Sequence, residues 1–136
     1  MKYLSIDYGD KRIGLAVCDP SETIVSPLKV LNNPEHFVEE MADLIEDEKI
    51  EAVVIGIPFN MDGTEGRQAK VVERFAGQLK KKITIPIFFQ DERLSTFAAE
   101  QKLADIELSK KKKRERIDAI AAAHILDEFL ERRRSI

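Results

Sequence analysis

The sequence predicts an α/β domain built on a mixed five-stranded sheet with helices on both faces. Short stretches of alternating apolar residues in the first 31 positions are typical of antiparallel hairpin strands. Glu51 to Pro58 contains a continuous apolar run that is typical of a buried parallel strand, and Ile83 to Gln90 is a second strand of this kind. Helical apolar periods follow these strands. The 136 residues, 43% of them apolar, suit one domain (1–136) with one core.

The N-terminal part is predicted to form a three-stranded antiparallel unit. Met1 to Asp7 is the first strand, and it ends in a turn rich in Gly and Asp. Arg12 to Asp19 alternates in polarity and therefore pairs back on the first strand as a hairpin. Thr23 to Leu31 is the third strand, and Pro27 within it suits the edge of the sheet.

Helices are predicted after this unit and after each buried strand. They span, in chain order, Asn33 to Asp47, the segment after Gly66 to about Lys82, Ser95 to Asp105 and Glu115 to Arg133. The second helix follows a loop, Met61 to Gly66, in which Thr64 is a candidate N-cap. A charged linker over Glu107 to Lys113 joins the last two helices.

The charge distribution indicates local rather than global affinity for phosphates. The net charge is −3, which does not indicate a nucleic-acid binder for the molecule as a whole. Positive charge is nevertheless clustered at Lys80 to Lys82, at Lys110 to Arg114 with Arg116, and at Arg132 to Arg134. We interpret the first and last clusters as solvated helix ends, whereas a basic patch such as the middle one can dock phosphates.

The cysteine content and the N-terminus indicate a reducing compartment. Cys18 is the only cysteine, so no disulfide can form within the chain. We expect Cys18 to be a small buried residue on an early strand. The N-terminus enters a strand within two residues, with no basic and apolar leader and no long uncharged apolar run. We therefore expect a cytoplasmic protein.

Asp118 is a carboxylate in the apolar stripe of the last predicted helix. At about 100° per residue, the residues within roughly a sixth of a turn of it are Ala121, Ala122, Ile125 and Phe129. An ionised carboxylate on a buried face must be paired, hydrogen-bonded or bound to a cation. The alternative is that Asp118 caps its own helix locally. Its position on the helix predicts a partner elsewhere in the fold.

Asp7 ends the first predicted strand and Glu92 follows the last one, and both are expected at the same edge of the sheet, where ligands gather in α/β proteins. If Asp118 lies over that edge, three carboxylates would repel one another unless a cation lay between them. Hard oxygen ligands favour Mg²⁺ or Mn²⁺, and two such ions could activate a water and stabilise the leaving oxygen of a phosphodiester. The alternatives are that Asp7 shapes the turn before Gly9 and that Glu92 pairs with a basic side chain, Arg93 or Lys102.

Other candidate groups carry weaker signals. The loop from Gly56 to Thr64 could receive a phosphate on its backbone N–H groups, and it could equally be an ordinary connection. His36 and His124 have no cysteine or second histidine at ligand spacing, so we expect them to be structural or exposed. Ser95 and Thr96 are expected to cap the next helix rather than to act as nucleophiles.

Four segments together resemble the YqgF/RuvX family. They are Asp7-Tyr8-Gly9-Asp10-Lys11-Arg12-Ile13-Gly14, Gly56-Ile57-Pro58-Phe59-Asn60-Met61-Asp62-Gly63-Thr64, Asp91-Glu92-Arg93-Leu94-Ser95-Thr96 and Ile117-Asp118-Ala119-Ile120-Ala121-Ala122. The four occur in the order of the family and span nearly the whole chain. The resemblance implies a ribonuclease H-like fold. Members of the family are named as Holliday junction resolvases or as pre-16S rRNA nucleases.

The resemblance also implies roles for particular residues. Asp7, Glu92 and Asp118 would be the catalytic acids and would bind the Mg²⁺ or Mn²⁺ ions, with Asp10 as a possible helper. In related resolvases the second acid comes from the central strand, where this chain has Asn60 and no carboxylate. The residues implied to contact nucleic acid are Lys11, Arg12, Asn60, Arg93, Lys110, Lys111, Lys112, Lys113 and Arg114. Such phosphate contacts carry no base specificity.

Three functions remain to be separated. The first is a metal-dependent endonuclease that hydrolyses structured nucleic acid, with precursor rRNA preferred and branched DNA as the alternative. The second is a non-catalytic RNA-binding factor in ribosome assembly. The third is a nucleotide phosphotransferase, because the actin and sugar-kinase fold shares an Asp-x-Gly hairpin, although 136 residues leave no room for the second domain of those enzymes. A resolvase would act as a symmetric dimer, whereas an rRNA nuclease could act as a monomer.

Overall fold

The computed structural model describes residues 1–9, 11–60, 62–92 and 110–135, and for 110–117 it describes the backbone. The strands are β1 (Tyr3–Tyr8), β2 (Ile13–Cys18), β3 (Val25–Leu31), β4 (Ala52–Ile57) and β5 (Ile87–Asp91). The helices are α1 (Phe37–Asp47), which follows a 3₁₀ turn at Pro34–His36, α2 (Arg67–Lys80) and α3 (Lys110–Arg134). None of these three helices has both the length and the apolar character needed to cross a membrane.

The five strands form one sheet in the order β3-β2-β1-β4-β5. β1 pairs with β2, and β2 with β3, in antiparallel fashion. On the other side β1 pairs with β4, and β4 with β5, in parallel. The predicted mixed five-stranded sheet is therefore confirmed, and β1 lies at its centre, where the antiparallel and parallel halves meet.

Alternate residues of β1 face different helices, as the twofold period of a strand requires. Leu4 and Ile6 are fully buried in a core that they share with Met41 of α1 and with α2. Tyr3 belongs to a second core, which contains Ile125 and other residues of α3. Helices thus cover both faces of the sheet, as predicted, and α3 covers one face alone among the described helices.

The backbone of α3 lies unusually close to the sheet. The hydroxyl of Ser5 on β1 donates a hydrogen bond to the Ala122 carbonyl at 2.6 Å, and both residues are fully buried. A Cβ placed on Gly14 of β2 would lie only 2.0 Å from the carbonyl oxygen of Asp118. Only glycine leaves room for such an approach, so Gly14 sets the distance between α3 and β2.

The third strand is an edge strand, as Pro27 predicted. The pairing of β2 with β3 shifts between Leu15 and Ala16, whose partners are Lys29 and Pro27. Leu28 is the additional residue of this bulge. Proline has no N–H for a regular ladder, and it is tolerated here because the strand is an edge strand and its pairing is interrupted by the bulge.

Thr64 does not cap α2, so that prediction is wrong. The N-cap is Gly66, and no side chain forms a capping hydrogen bond there. The N–H and hydroxyl of Thr64 instead donate to Oδ1 of Asp62 at 3.0 and 2.6 Å. The turn formed by the Asp62 side chain competes for the threonine and keeps it in the loop.

Two element boundaries also differ from prediction. β5 begins at Ile87 rather than at Ile83, because Pro86 has no N–H for the ladder, although its carbonyl accepts from the Val53 N–H at 2.9 Å. The described part of α3 already includes Lys110 to Arg114, ahead of the predicted start at Glu115, so the end of the expected linker is helical, as the high helix propensity of lysine and arginine allows. The helix expected over Ser95 to Asp105 lies outside the described residues.

The basic clusters at two helix ends and the single cysteine lie where the sequence predicted them. Lys80 to Lys82 and Arg132 to Arg134 are exposed at the C-terminal ends of α2 and α3, as predicted. Cys18 is 2% exposed and accepts a hydrogen bond from the Tyr3 N–H at 3.3 Å. Burial raises the pKa of its thiol, in keeping with the expected small buried residue.

Gly14→Ala should destabilise the protein by about 3 kcal/mol, because the added methyl group would push the backbone of α3 away from β2. Gly77→Ala is the matched control, since no atom other than its chain neighbours and the backbone of α2 itself lies within 4 Å of the corresponding Cβ. That change should stabilise the protein by about 0.5 to 1 kcal/mol through the higher helix propensity of alanine. Urea unfolding measures both, and a neutral Gly14→Ala would contradict the close seating of α3.

Candidate active site

Asp7 lies on β1 between two glycines on the neighbouring strands. It pairs with Gly14 of β2. On the other side the register pairs Ile6 with Ile55, which brings the next residue of β4, Gly56, level with Asp7. Asp7 is two residues beyond Ser5, so its side chain lies on the face covered by α3. The sheet therefore leaves space on both sides of this carboxylate.

The space above Gly14 is filled by the backbone of α3 at Asp118. The carbonyl carbon of Asp118 would lie 2.4 Å from a Cβ at this position. The Asp118 main chain thus lies against the strand neighbour of Asp7. The negative charge of Asp118 contributes to the raised pKa of Asp7, so the two carboxylates interact across this gap.

The space above Gly56 is filled by the side chain of Glu92. A Cβ on Gly56 would lie 2.7 Å from Cδ and 2.8 Å from Oε2 of Glu92, and 2.5 Å from Cδ1 of Ile125 in α3. Glu92 follows β5 directly, its N–H donates to the Ile57 carbonyl at 3.2 Å, and it is only 9% exposed. The Glu92 carboxylate therefore lies on the same sheet face as Asp7, over the strand next to it.

Asp118 faces Arg12, which is the partner that its position on the buried helix face predicted. Nε of Arg12 donates to Oδ2 of Asp118 at 2.6 Å, and the two side chains are 29% and 22% exposed. The neighbours of Asp118 on the helix face are buried as predicted: Ala121, Ala122, Ile125 and Phe129. The predicted need for a partner is confirmed, and a guanidinium meets it.

Burial raises the pKa of Asp7 to about 7, and the nearby charge of Asp118 contributes to the same shift. At neutral pH the Asp7 carboxyl is therefore divided between its protonated and ionised forms. A cation close to Asp7 would shift this balance towards the carboxylate, because opposite charge favours the ionised form. The environment of Asp7 is thus electrostatically suited to a cation.

The three acids are brought to one face of the sheet but not into a closed cluster. Among the residues that the structure describes, no group of three or more His, Cys, Asp or Glu side chains is placed to hold a metal ion. His36 is exposed, with Nδ1 3.4 Å from Oε2 of Glu39, and His124 Nε2 lies 2.9 Å from Oε1 of Glu128. The metal-binding roles of the three acids stay predictions, and the histidines are structural or exposed as expected.

The loop after β4 uses its N–H groups internally. The Asn60 N–H donates to the Thr64 carbonyl at 2.9 Å, and the Gly63 N–H donates to the Asn60 carbonyl at 2.8 Å. The exposed side chain of Asn60 donates from Nδ2 to Oγ1 of Thr64 at 3.0 Å. These bonds favour an ordinary connection over a phosphate cradle. A role of Asn60 in binding nucleic acid stays a prediction.

The remaining predicted contacts to nucleic acid are placed as follows. Lys11 is exposed in the hairpin turn, directly before Arg12. Lys110 to Arg114 are helical and belong to α3, and their side chains lie outside the described part of the chain. Asp10, Arg93, Ser95 and Thr96 also lie outside it.

Sequence reasoning missed the two strand glycines that make room for Asp118 and Glu92. Gly14 and Gly56 each interrupt an apolar strand pattern. A glycine inside a strand commonly marks close approach of another backbone or side chain. That signal could have pointed to both positions, although not to the groups that occupy them.

The raised pKa of Asp7 predicts a dependence of stability on pH. The folded state takes up a proton on Asp7 at higher pH than the unfolded state, so the contribution of Asp7 to stability should fall as the pH rises from about 4 to about 7. Asp7→Asn removes this effect and should raise the free energy of unfolding by about 2 kcal/mol at pH 8 and hardly at pH 4. Urea unfolding at both pH values in a buffer with EDTA measures it. An equal effect at pH 4 and pH 8 would contradict the raised pKa.

The chain is similar to known proteins over nearly its whole length. The model of the RuvX family, described as Holliday junction resolvase, matches residues 1–132. A protein of Roseiflexus sp. (strain RS-1) named "Putative pre-16S rRNA nuclease" is 38% identical over 135 residues, which are 98% of this chain and 96% of that protein. A protein of the same name from Maridesulfovibrio salexigens is 39% identical over 134 residues, 97% of this chain and 99% of that protein.

Solved structures show the same fold. RuvC of Thermus thermophilus in complex with a Holliday junction substrate has a TM-score of 0.62 at 17% identity, covering 98% of this chain and 96% of that one. The Fowlpox virus resolvase in complex with Holliday junction DNA has a TM-score of 0.57 at 12% identity, covering 96% and 97%. The predicted ribonuclease H-like fold is confirmed. The family model and the relatives at 38% and 39% identity show that the chain belongs to the RuvX (YqgF) family.

Proposed function

We propose that this protein is a metal-dependent endonuclease that hydrolyses phosphodiester bonds in structured nucleic acid, with the 5′ end of pre-16S rRNA as its substrate. The observation that carries the proposal is the position of Asp7 between Gly14 and Gly56, with Asp118 and Glu92 over those glycines. Family membership and the names of the relatives support the reaction and the substrate. A cytoplasmic location would follow from a role in rRNA processing.

Asp7, Glu92 and Asp118 would hold the divalent cations, with two Mg²⁺ or Mn²⁺ ions as the expected complement. Carboxylate oxygens are the donors that these hard ions prefer. A pKa of about 7 for Asp7 also suits a site in which a bound cation keeps the carboxylate ionised. When bound, such ions supply the activation of a water molecule and the stabilisation of the departing 3′ oxygen.

Residues of the chain would position the site and bind the phosphates of the nucleic acid. Asp7 lies on the central strand, so its main chain is fixed within the sheet. Glu92 is nearly buried and, with Ile125, fills the space above Gly56 of β4. Lys11 and the start of α3 (Lys110 to Arg114) would bind flanking phosphates. Such contacts position a nucleic acid without reading its sequence.

Two other functions are alternatives to this proposal. The family description favours cleavage of Holliday junctions, which would require a symmetric dimer to cut two strands. The ion pair between Arg12 and Asp118 favours a non-catalytic RNA-binding factor in ribosome assembly, because it occupies one of the three acids. Incubation of the purified protein with pre-16S rRNA or with a four-way DNA junction, with Mg²⁺ or Mn²⁺, separates the three. Binding of RNA without any cleavage would favour the assembly factor.

Asp118→Ala should lower the rate of metal-dependent cleavage by roughly two orders of magnitude or more, because it removes a ligand of the cations. The variant should remain folded, since Asp118 and Arg12 are both partly exposed. Asp43→Ala is the control, because Asp43 is an exposed acid on α1, on the opposite face of the sheet. EDTA should stop cleavage in the wild type. Full activity of Asp118→Ala would refute its role as a ligand.

Replacing Lys111, Lys112 and Lys113 with glutamine should weaken binding of the nucleic acid. The plot of log affinity against log salt concentration has a negative slope, and its magnitude should decrease by about 2. The binding is measured in an Asp7→Asn background, so that the substrate is not cut. Lys80, Lys81 and Lys82, exposed at the end of α2, provide a control with the same change of charge. An equal loss of slope in both triple variants would count against a specific role for the start of α3.

A further inference from the structure

Arg12 makes a contact that its expected role in binding phosphates does not explain. Its Nε donates to a single carboxylate oxygen, Oδ2 of Asp118, at 2.6 Å. The two residues are 106 positions apart in sequence, and each side chain is partly exposed. A guanidinium is therefore paired with an acid that the proposed function assigns to the cations.

The main chains at both ends of this ion pair are held independently of it. The Gly9 N–H donates to the Arg12 carbonyl at 2.9 Å, which closes the hairpin turn. The Asp118 carbonyl lies against Gly14, and Ser5 binds the next turn of α3. The ion pair can therefore open through movement of the Arg12 side chain alone, while the turn and the helix stay in place.

Arg12 and a divalent cation would satisfy the same electrostatic need. The charge of Asp118 acts on Asp7, so a positive charge at Asp118 reduces the repulsion between the two acids. Arg12 provides that charge in this structure, and a divalent cation held by both acids would provide more of it. Because both would be held by the negative charge of the Asp118 carboxylate, each would weaken the binding of the other there.

Building on the proposed function, we propose that Arg12 and the divalent cation exchange at Asp118. Without metal, the guanidinium holds the carboxylate. With metal, Arg12 is released and binds a phosphate of the nucleic acid beside the site. Metal loading would then make a phosphate-binding group available, and nucleic acid that holds Arg12 away from Asp118 would strengthen metal binding to the same degree. The competing model is a permanent clamp, in which Arg12 ties the hairpin to α3 whether or not metal is bound.

Isothermal titration of the metal-free protein with Mn²⁺, in the absence of nucleic acid, tests the exchange. Arg12→Gln should bind Mn²⁺ about fivefold more tightly than the wild type, because the cation no longer competes with a partly exposed ion pair. Lys11→Gln is the control, since it removes the same charge from the neighbouring exposed residue without breaking the pair. Its affinity should change much less.

The outcomes separate the inference from the function on which it rests. If Mn²⁺ binds to the wild type and Arg12→Gln binds it equally or more weakly, the exchange is refuted and the metal site stands. If Mn²⁺ binds to neither the wild type nor Arg12→Gln nor Lys11→Gln, both the exchange and the proposed metal site are refuted.

A second measurement uses the wild type and does not depend on how Arg12→Gln folds. In ¹H–¹⁵N spectra, the Nε–H signal of Arg12 should shift and exchange faster with water as Mg²⁺ is added, because its acceptor is lost. Arg74, exposed on α2, is the internal control and should not change. An Arg12 signal unchanged at saturating Mg²⁺ would establish the clamp and overturn the exchange.

Discussion

The contact between the backbone of α3 and Gly14 of β2 is the constraint on which the rest of the site depends. A helix this close to a sheet needs small residues where they meet, and Ala121 and Ala122 supply them on the helix side. The buried hydroxyl of Ser5 then holds the helix along β1, since leaving it unpaired would be costly. The packing that builds the second core also brings the Asp118 carboxylate beside the end of β1.

Electrostatic repulsion between Asp7 and Asp118 destabilises the folded state. Burial and the charge of Asp118 raise the pKa of Asp7 to about 7, so the ionised pair opposes folding. Groups arranged to bind ligands are commonly held in such unfavourable surroundings. Arg12 offsets part of the repulsion from a partly exposed position, where its ion pair can open without disturbing either core. The arrangement of Asp7, Asp118 and Arg12 thus limits the loss of stability and keeps surroundings that favour a cation.

Much of the fold could be predicted because strands and helices depend on local patterns. The edge position of the third strand followed from Pro27 alone. Predictions failed where one local signal outweighed another: Pro86 delays the start of β5, and a side-chain turn takes Thr64 away from the helix end. For the site, the helix position of Asp118 predicted a partner. That the partner is Arg12 depends on how α3 crosses the hairpin, which no local pattern encodes.

The irregular edge formed by β3 affects how separate molecules meet in solution. An open sheet edge is a template on which strands of other molecules can align and start to aggregate. Here Pro27 offers no N–H, the bulge at Leu28 breaks the regular spacing, and Lys29 exposes a positive charge that repels a second copy. This edge of the sheet is therefore a poor template for fibril-like self-association.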